Sequence, residues 1–554
     1  MTSDTPLQHE YADHLLHEVL AGRMTRRQLL VRASVVGLSA TLIGQVLAAC
    51  GSSSPSSSST SPAASLSPKA GGTLKVTMPS PTVAVEPTTM YDTGSIATAQ
   101  MVAEYLIWVN NDLSLRPVLA EHWSPDSSAK VWTFNLRQGV TFQDGTPFSA
   151  DDVVSTMNIL LNPKTVSAAL SAFQGILSQG GVQKVDANTV AFHLDQAFAD
   201  FPYFVASTNY DCLILPKGYK VGTWQKNPVG TGAFKMTQFT AKQGATFVKN
   251  PTYWDKPKPY LDGVSVQFID ETQAEALALQ NGSVDMMLST PYQGAQALFT
   301  DTSLKVLTTP STMMRSLHMR VDTAPTTNKS VRQALAYTLD RPAIIKSLFN
   351  DKASIGNDNV FAPLYPLSPS TADVPQRAQN IAKAKSLLAA AGMPNGVTMN
   401  MYVEEFEEVP QYATLLQAMA KQAGITLNLK QVTVTYWYGS GKNQPWLQAP
   451  MGITDWTFRG VPSQYFLPMY TSKGVWNSAQ FKNSQFDTLA SQYDSTLDVA
   501  TRKGYAKQMA QIMLDETPYI IGYWISVNRA MKKNVQGVTA DPAEFLDLTT
   551  AFLA

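Results

Sequence analysis

Residues 132–153 read Trp132-Thr133-Phe134-Asn135-Leu136-Arg137-Gln138-Gly139-Val140-Thr141-Phe142-Gln143-Asp144-Gly145-Thr146-Pro147-Phe148-Ser149-Ala150-Asp151-Asp152-Val153 and say more about the architecture than any other segment of the chain. Apolar and polar side chains alternate over residues 131–136, as they do in a half-buried strand. Asp144-Gly145-Thr146-Pro147 is a turn sequence. Ser149 and Asp152 have the spacing of a capping box, which starts a helix. The segment therefore predicts a strand-turn-strand-helix unit.

Strand-like and helix-like segments alternate through the rest of the body. Residues 72–78 alternate as a half-buried strand does. Residues 330–339 and 381–392 have the pattern of helices, and Gly392 suits a left-handed C-cap. Gly439-Ser440-Gly441-Lys442 resembles a phosphate-binding loop only superficially, because neither the first glycine nor the final Ser/Thr of that motif is present; it is predicted to be a turn. The chain is thus of mixed α/β class.

The N-terminal segment has the order of an export signal. Paired Arg26-Arg27 precede an apolar stretch, Ala33 to Ala49, which ends at Cys50 and a serine-rich run. The cysteine and the small residues before it resemble a bacterial lipoprotein box, and the arginines resemble a twin-arginine signal, so twin-arginine and general secretion both remain open as the route. We expect residues 1–49 to be removed, Cys50 to be lipidated, and residues 50–70 to form a Ser/Pro-rich tether.

The charge, length and cysteine content of the chain limit what kind of protein it can be. The chain has 42 basic and 42 acidic residues, a balance that argues against nucleic acid as a partner. A body from about residue 71 to 554 is too long for one core and predicts at least two lobes. With Cys50 modified, Cys212 has no disulfide partner and is expected to be buried.

Signatures of metal sites and catalysis are absent from the sequence. Outside the leader, His122, His193 and His318 are widely separated, and no His-x-x-x-His or Cys-x-x-Cys spacing occurs. No Gly-x-Ser-x-Gly elbow occurs either. We therefore expect no metal, no cofactor and no catalytic residues.

The segment 132–153 resembles the signature of family 5 of the solute-binding proteins, the peptide/nickel class that serves ABC importers. Further matching pieces follow in order along nearly the whole mature chain. They are Asn227-Pro228-Val229-Gly230-Thr231-Gly232-Ala233-Phe234, Asn250-Pro251-Thr252-Tyr253-Trp254, Tyr260-Leu261-Asp262-Gly263-Val264, Asn281-Gly282-Ser283-Val284-Asp285, and Val331-Arg332-Gln333-Ala334-Leu335 through Asp340-Arg341.

The resemblance implies a two-lobed periplasmic-binding-protein (Venus flytrap) fold with an extra inserted subdomain. Transferred by position, the first lobe comprises residues 71–106, 216–316 and 525–554, the inserted subdomain 107–215, and the second lobe 317–524. The lobes would close on a small or peptide-like solute, and importer permease subunits would recognise the closed form. The resemblance thus implies a monomeric, non-enzymatic receptor that is extracytoplasmic and membrane-anchored by lipid.

The best clue to the ligand is residues 454–466. In the family the matching stretch lies on the cleft wall, and oligopeptide binders have an aspartate there that pairs with the ligand amine. Aligning on Pro462 places Phe458 at that position, beside Arg459, so this chain departs from the pattern, and Asp455 is a displaced substitute. Trp456 and Arg459 are similar to another branch of the family, in which an aromatic ring and a guanidinium suit a carboxylate, carbonyl or ring. For Arg459, ligand contact and an internal salt bridge remain alternatives.

Three further residues are weaker candidates for ligand binding. Arg320 stands where many relatives have asparagine, but Asp322 is close enough to be a structural partner. Trp476 and Tyr91 are the others, although most tryptophans in a chain serve packing. Two competing functions are an extracytoplasmic hydrolase of peptides or glycans and a sensor that presents its ligand to a signalling partner.

Overall fold

A computed structural model of the chain describes residues 67–439 and 443–554. The predicted export signal, Cys50, most of the tether and three residues of the predicted 439–442 turn lie outside this part. In the described ranges no helix has both the length and the apolar character needed to cross a membrane.

The strands are, in chain order, β1 (Thr73–Met78), β2 (Ile107–Val109), β3 (Leu115–Pro117), β4 (Ala120–Pro125), β5 (Val131–Leu136), β6 (Val182–Asp186), β7 (Thr189–His193), β8 (Phe234–Thr240), β9 (Gly244–Lys249), β10 (Gly263–Phe268), β11 (Met286–Met287), β12 (Leu304–Met319), β13 (Ala353–Ile355), β14 (Val397–Glu404), β15 (Ile425–Val432), β16 (Met451–Trp456), β17 (Tyr519–Lys532), β18 (Val535–Gln536) and β19 (Phe552–Leu553).

The α-helices are α1 (Thr93–Gln100), α2 (Ala150–Leu160), α3 (Ala168–Phe173), α4 (Phe201–Phe204), α5 (Thr272–Gln280), α6 (Lys329–Ala336), α7 (Arg341–Phe349), α8 (Ile381–Ala390), α9 (Val409–Lys421), α10 (Val434–Tyr438), α11 (Pro445–Gln448), α12 (Ser463–Tyr470), α13 (Ser484–Ser495) and α14 (Val499–Glu516). Short 3-10 helices cover Tyr210–Cys212, Trp224–Lys226 and Gln296–Phe299.

Two long strands join the halves of the main sheet. The described part of the chain places 11 strands in it, with the path β15-β14-β16-β12-β17-β11-β1-β10-β9-β8 and β13 beside β17. The β12–β17 pair is antiparallel from Leu304↔Lys532 to His318↔Tyr519, with register shifts between Pro310 and Ser316. One end of this ladder belongs to the half with β11, β1 and β10, and the other end belongs to the half with β16, β14 and β15.

The half with β14 and β16 has a buried core of its own. In it, apolar side chains of α6, α7 and α9, including Val331, Ile344 and Leu416, pack on the sheet, to which β16 contributes Ile453. Most of β17 is buried, as expected for a central strand covered on both faces. Burial of this apolar surface is the main force that holds each half together.

The unit predicted from residues 132–153 is confirmed in its strand, turn and helix, but its second strand does not form: between β5 and α2 there is only an isolated bridge that pairs Thr141 with Pro147. β5 lies inside a four-stranded antiparallel sheet of order β4-β5-β7-β6. The Asp144 carboxylate accepts hydrogen bonds from the Thr146 N–H (2.9 Å) and hydroxyl (2.7 Å), and Gly145 has φ +90°, a left-handed conformation that glycine permits. Ser149 caps α2, with its N–H donating to the Asp152 carboxylate at 2.8 Å.

The predictions for β1, α6, α8 and Cys212 are also confirmed. β1 forms at residues 73–78, and α6 and α8 form where the helical patterns lie, although α6 already ends at Ala336. Gly392 follows α8 with φ +79°. Cys212 is free and buried.

Candidate functional site

A cavity of about 400 Å³ lies between two segments that are far apart in sequence. One wall consists of residues 168–210, with α3 and the start of the 3-10 helix at Tyr210; the other consists of residues 459–476, with α12 and the loop after it. We call it the Arg459 cavity. Its volume falls in the range of small-molecule sites. Its lining residues are Ala168, Ser171, Ala172, Gln174, Ile176, Gln196, Phe204, Thr208, Asn209, Tyr210, Arg459, Ser463, Gln464, Leu467, Pro468, Thr471, Lys473, Gly474, Val475 and Trp476.

Arg459 is fixed by its backbone rather than by its side chain. Its N–H donates to the Thr312 hydroxyl (3.0 Å), and its carbonyl accepts from Thr312 Oγ1 (2.8 Å) and the Tyr365 hydroxyl (2.9 Å). The guanidinium donates through Nη1 to the Phe458 carbonyl at 3.3 Å. No carboxylate of the described residues forms an ion pair with it, so the internal salt bridge, one of the two alternatives, is not formed in this structure.

The two tryptophans of the predicted site lie one behind the other. Trp476 lines the cavity, and its ring centroid is 5.9 Å from that of Trp456. Trp456 is only 5% exposed; its indole N–H donates to the Ser316 hydroxyl at 2.9 Å, and its ring also packs on Trp446 and Tyr465. We therefore expect Trp456 to act on a ligand through Trp476.

Hydrogen bonds behind the cavity connect its two walls. The Ser463 hydroxyl donates to Asp494 at 2.7 Å, and the Ala199 N–H donates to the Asp494 carbonyl at 2.6 Å. Asp200 forms a buried ion pair with Arg502 on α14. Burial raises the pKa of Asp494 well above its usual value.

Asp455 is engaged in an internal network and is not among the residues that line the cavity. The Tyr438 hydroxyl donates to its carboxylate, and its own N–H donates to Glu404 Oε1 at 2.9 Å. Burial, and then the charge of Asp455, raise the pKa of Glu404. Arg315 lies beside this group and pairs with Glu407 (2.5 Å) and Glu408 (3.0 Å).

The remaining predicted residues lie apart from the cavity lining. Arg320 forms a bidentate ion pair with Asp322, in which Nε donates to Oδ1 at 2.8 Å and Nη2 donates to Oδ2 at 2.7 Å. This is the structural role that the sequence offered as the alternative to ligand binding. Phe458 is buried, next to Arg459 but outside the lining. Tyr91 is 61% exposed and accepts a hydrogen bond from the Thr82 hydroxyl at 3.3 Å. Cys50 lies outside the described residues.

The structure adds residues that the sequence did not single out. Tyr210, Asn209, Gln464 and Lys473 line the cavity beside Arg459 and Trp476. Burial, and then the charge of Asp211, raise the pKa of Tyr210, whereas the charge of Arg459 acts in the opposite direction. The only signal in the sequence was the position of Lys473, three residues before Trp476. Nothing local linked residues 168–210 to this segment.

Among the side chains that the structure describes, no cluster of three or more His, Cys, Asp or Glu residues could hold a metal ion. His318 is buried, and its Nε2 bonds to the Ala449 carbonyl at 3.0 Å. Gly230 and Gly232 serve close packing, because a Cβ at either position would lie within 2.7 Å of the Val102 backbone.

Comparison with known proteins adds independent findings. The model of the bacterial extracellular solute-binding proteins, family 5 Middle, matches residues 114–478. The chain is 26% identical over 466 residues to the glutathione-binding protein GsiB of Escherichia coli strain K12, covering 82% of this chain and 89% of the relative.

Solved structures share the fold. The periplasmic binding protein DppA from Helicobacter pylori, in complex with the peptide STSA, has a TM-score of 0.72 and 21% identity, covering 88% of this chain and 98% of that one. The substrate-binding protein CtaP from Listeria monocytogenes has a TM-score of 0.75 and 23% identity, covering 88% and 100%. The architecture is therefore the two-lobed α/β fold of periplasmic peptide-binding proteins.

Proposed function

The chain belongs to family 5 of the bacterial extracellular solute-binding proteins, and from this we propose that it captures a peptide-like or other small solute in the Arg459 cavity. Proteins of this class bind their solutes outside the cytoplasm and deliver them to ABC importers. The observation that carries the proposal is the cavity itself, which has the size of a small solute and polar groups on both walls.

The position of the cavity fits a mechanism of closure. If the inserted subdomain comprises residues 107–215 and the second lobe residues 317–524, the wall at 168–210 belongs to the inserted subdomain. The wall at 459–476 then belongs to the second lobe. The first lobe would comprise 71–106, 216–316 and 525–554, with β12 and β17 as the connections between the lobes. A ligand that touches both walls stabilises the closed form, and converting a mostly open population to a mostly closed one takes about 5.5 kcal/mol of differential binding.

The relatives indicate which solutes to try first. One relative is named for glutathione, and one structural neighbour holds a tetrapeptide. The departure at Phe458 removes the aspartate that pairs with a peptide amine in oligopeptide binders, and the cavity offers a guanidinium in its place. Short peptide-like solutes with a carboxylate or carbonyl near Arg459 are the class that these features favour.

Three further properties belong to the proposal. Cys50 carries a lipid that anchors the protein at the cell membrane, and residues 51–70 act as a tether. The protein works as a monomer with the permease subunits of an importer. It catalyses no reaction; the relatives that it matches are solute-binding proteins.

Mass spectrometry of small molecules released from natively purified protein tests this function. We expect a solute of peptide-like size, and calorimetry with that solute should show binding without turnover. Small-angle scattering should show a smaller radius of gyration for the loaded protein. Absence of any bound or titratable solute, together with cleavage of peptides or glycans by the same preparation, would replace the proposal with the hydrolase alternative.

A further inference from the structure

The Arg459 cavity has an uneven charge distribution. Two cationic side chains, Arg459 and Lys473, line it, and no aspartate or glutamate is among its lining residues. Every other polar side chain in the lining is a neutral amide or hydroxyl. Because clefts lined by one sign of charge concentrate ligands of the opposite sign, the lining favours anionic solutes.

Arg459 differs from the other arginines of the described residues. Most of them form ion pairs with carboxylates, as Arg341 and Arg377 do with Asp358. Arg529, which has no such pair, donates to the carbonyls of Leu288, Thr539 and Phe545. The Arg459 side chain makes only the 3.3 Å contact with the Phe458 carbonyl. A guanidinium has five N–H donors in a planar fork that fits a carboxylate, so most of its donor capacity is unused.

Other polar groups around the cavity are also unused. Within residues 67–439 and 443–554, the Tyr210 hydroxyl and the side-chain amides of Gln174 and Gln196 make no hydrogen bond. Gln174, Gln196 and Lys473 are exposed at the rim, whereas Thr208 and Asn209 are buried deeper in. Unused donors are thus available at the rim, whereas the Thr208 hydroxyl and the Asn209 amide already donate to the Tyr203 and Phe204 carbonyls.

Three acidic groups lie beside the cavity walls, and each already has a partner. Asp211, next to Tyr210 in the chain, accepts a hydrogen bond from the Ser167 hydroxyl at 2.6 Å, Asp494 accepts from Ser463, and Asp200 is paired with Arg502. None of the three carboxylates is among the lining residues, so none is placed to attract an ammonium into the cavity. Trp476, Leu467 and Val475 supply apolar surface for the carbon skeleton of a solute.

We propose that the Arg459 cavity selects anionic solutes of dipeptide to tripeptide size, with one carboxylate bound by Arg459 and a second acidic group directed towards Lys473. The inference rests on the proposed function and narrows its substrate class. It predicts discrimination against solutes whose carboxylates are masked and against peptides with an additional cationic side chain.

Calorimetry on the full purified protein tests the inference with probes matched in size. The probes are glutathione, its dimethyl ester, and three tripeptides of glycine and alanine in which one residue is replaced by an acidic, a neutral polar or a basic one. We expect the acidic probes to bind about tenfold or more tightly than the esterified, neutral and basic probes, as the loss of a charge-assisted hydrogen bond predicts.

Substitutions test which residues cause the preference for acidic probes. Arg459→Gln should remove most of this preference, and Arg459→Lys should keep part of it. Lys473→Gln should reduce the preference for solutes with two acidic groups. Lys430→Gln removes one positive charge from an exposed position on β15 and should leave the preference intact. Because the backbone holds Arg459, we expect both of its variants to keep the melting temperature of the parent.

The outcomes are distinguishable. Binding that ignores charge, or that favours the basic probe, overturns the anion preference and leaves solute capture standing. A preference for acidic probes that survives both Arg459→Gln and Lys473→Gln overturns the inference by assigning the preference to another site. If no probe binds and no solute is released from the native protein, the proposed function and the inference both fail.

Discussion

Trp456 supports Trp476 from the interior, with ring centroids 5.9 Å apart and an angle of 58° between the planes. Only Trp476 lines the Arg459 cavity, whereas Trp456 is buried among aromatic rings. The two residues should therefore respond differently to truncation.

Trp476→Ala should weaken binding of the native solute about tenfold or more, because an aromatic surface is lost from the cavity wall. Its effect on the free energy of unfolding should stay within about 1 kcal/mol, since the ring is partly exposed. Trp456→Ala should lower that free energy by about 3–5 kcal/mol, the usual cost of deleting a buried aromatic side chain. Calorimetry measures the affinity of the two variants for the solute, and urea unfolding measures their stability. Equal losses of stability in the two variants would contradict this division of roles.

Glu104 connects two of the sequence motifs. Its carboxylate accepts hydrogen bonds from the Thr231 hydroxyl (2.8 Å), the Tyr253 hydroxyl (2.8 Å) and the Trp254 indole N–H (2.9 Å). Glu104→Ala leaves these donors without their acceptor and should lower the free energy of unfolding by at least about 2 kcal/mol. Glu121→Ala is the control, because its ion pair with Arg137 is partly exposed and contributes about 0–1 kcal/mol. Urea unfolding curves that coincide for the two variants would show that the network adds nothing.

Local features of the fold could be predicted because each depends on neighbours in sequence. The capping box of Ser149 and Asp152 and the turn at Gly145 involve residues a few positions apart, and the required backbone conformations select those residue types. Gly392 at the end of α8 follows the same reasoning.

The candidate site could be predicted only in part. Arg459 and Trp476 are in the cavity, but sequence patterns cannot distinguish a ring that lines a cavity from one that supports it, as Trp456 does. The opposite wall, including Tyr210, comes from a segment that only tertiary packing brings near residue 459. The pairing of Arg320 with Asp322 was foreseeable because the two are only two positions apart in the chain.

The ion pair of Asp200 and Arg502 should stabilise the docking of the two cavity walls. Arg502→Met leaves Asp200 and Asp494 buried without their cation and should lower the free energy of unfolding by about 3–5 kcal/mol. Lys503→Met, at the next and exposed position of α14, should change it by less than about 0.5 kcal/mol. Urea denaturation measures both variants. If Arg502→Met were as stable as Lys503→Met, the pair would not hold the walls together.

The proposed lipidation of Cys50 predicts that removing this cysteine changes the cellular location of the protein. In the producing bacterium, Cys50→Ala should move the protein from the membrane fraction to the soluble fraction, because each buried methylene of the acyl chains contributes about 0.8 kcal/mol of membrane affinity. Cys212→Ala should remain with the membrane, since Cys212 is buried in the folded body. Immunoblots of fractionated cells give the result. Retention of Cys50→Ala in the membrane fraction would point to another anchor.

Glu275 should make the stability of the protein depend on pH. It is buried on α5 and accepts a hydrogen bond from the Thr77 hydroxyl at 3.2 Å; burial raises its pKa from 4.5 to about 8. The unfolded chain loses this proton above about pH 4.5, whereas the folded protein keeps it until about pH 8. The contribution of Glu275 is therefore fully present below pH 4.5 and is lost as the pH rises to about 8, by up to about 1.4 kcal/mol per pH unit.

Glu275→Gln keeps the shape of the protonated side chain and cannot ionise, so it should flatten this decline. Urea unfolding from pH 4 to pH 9 should show the variant gaining stability relative to the parent as the pH rises, with the two most alike near pH 4. Glu271→Gln, at the exposed N-cap of the same helix, should follow the parent across the range. A constant difference between Glu275→Gln and the parent at every pH would mean that this carboxyl titrates alike in the folded and unfolded chains.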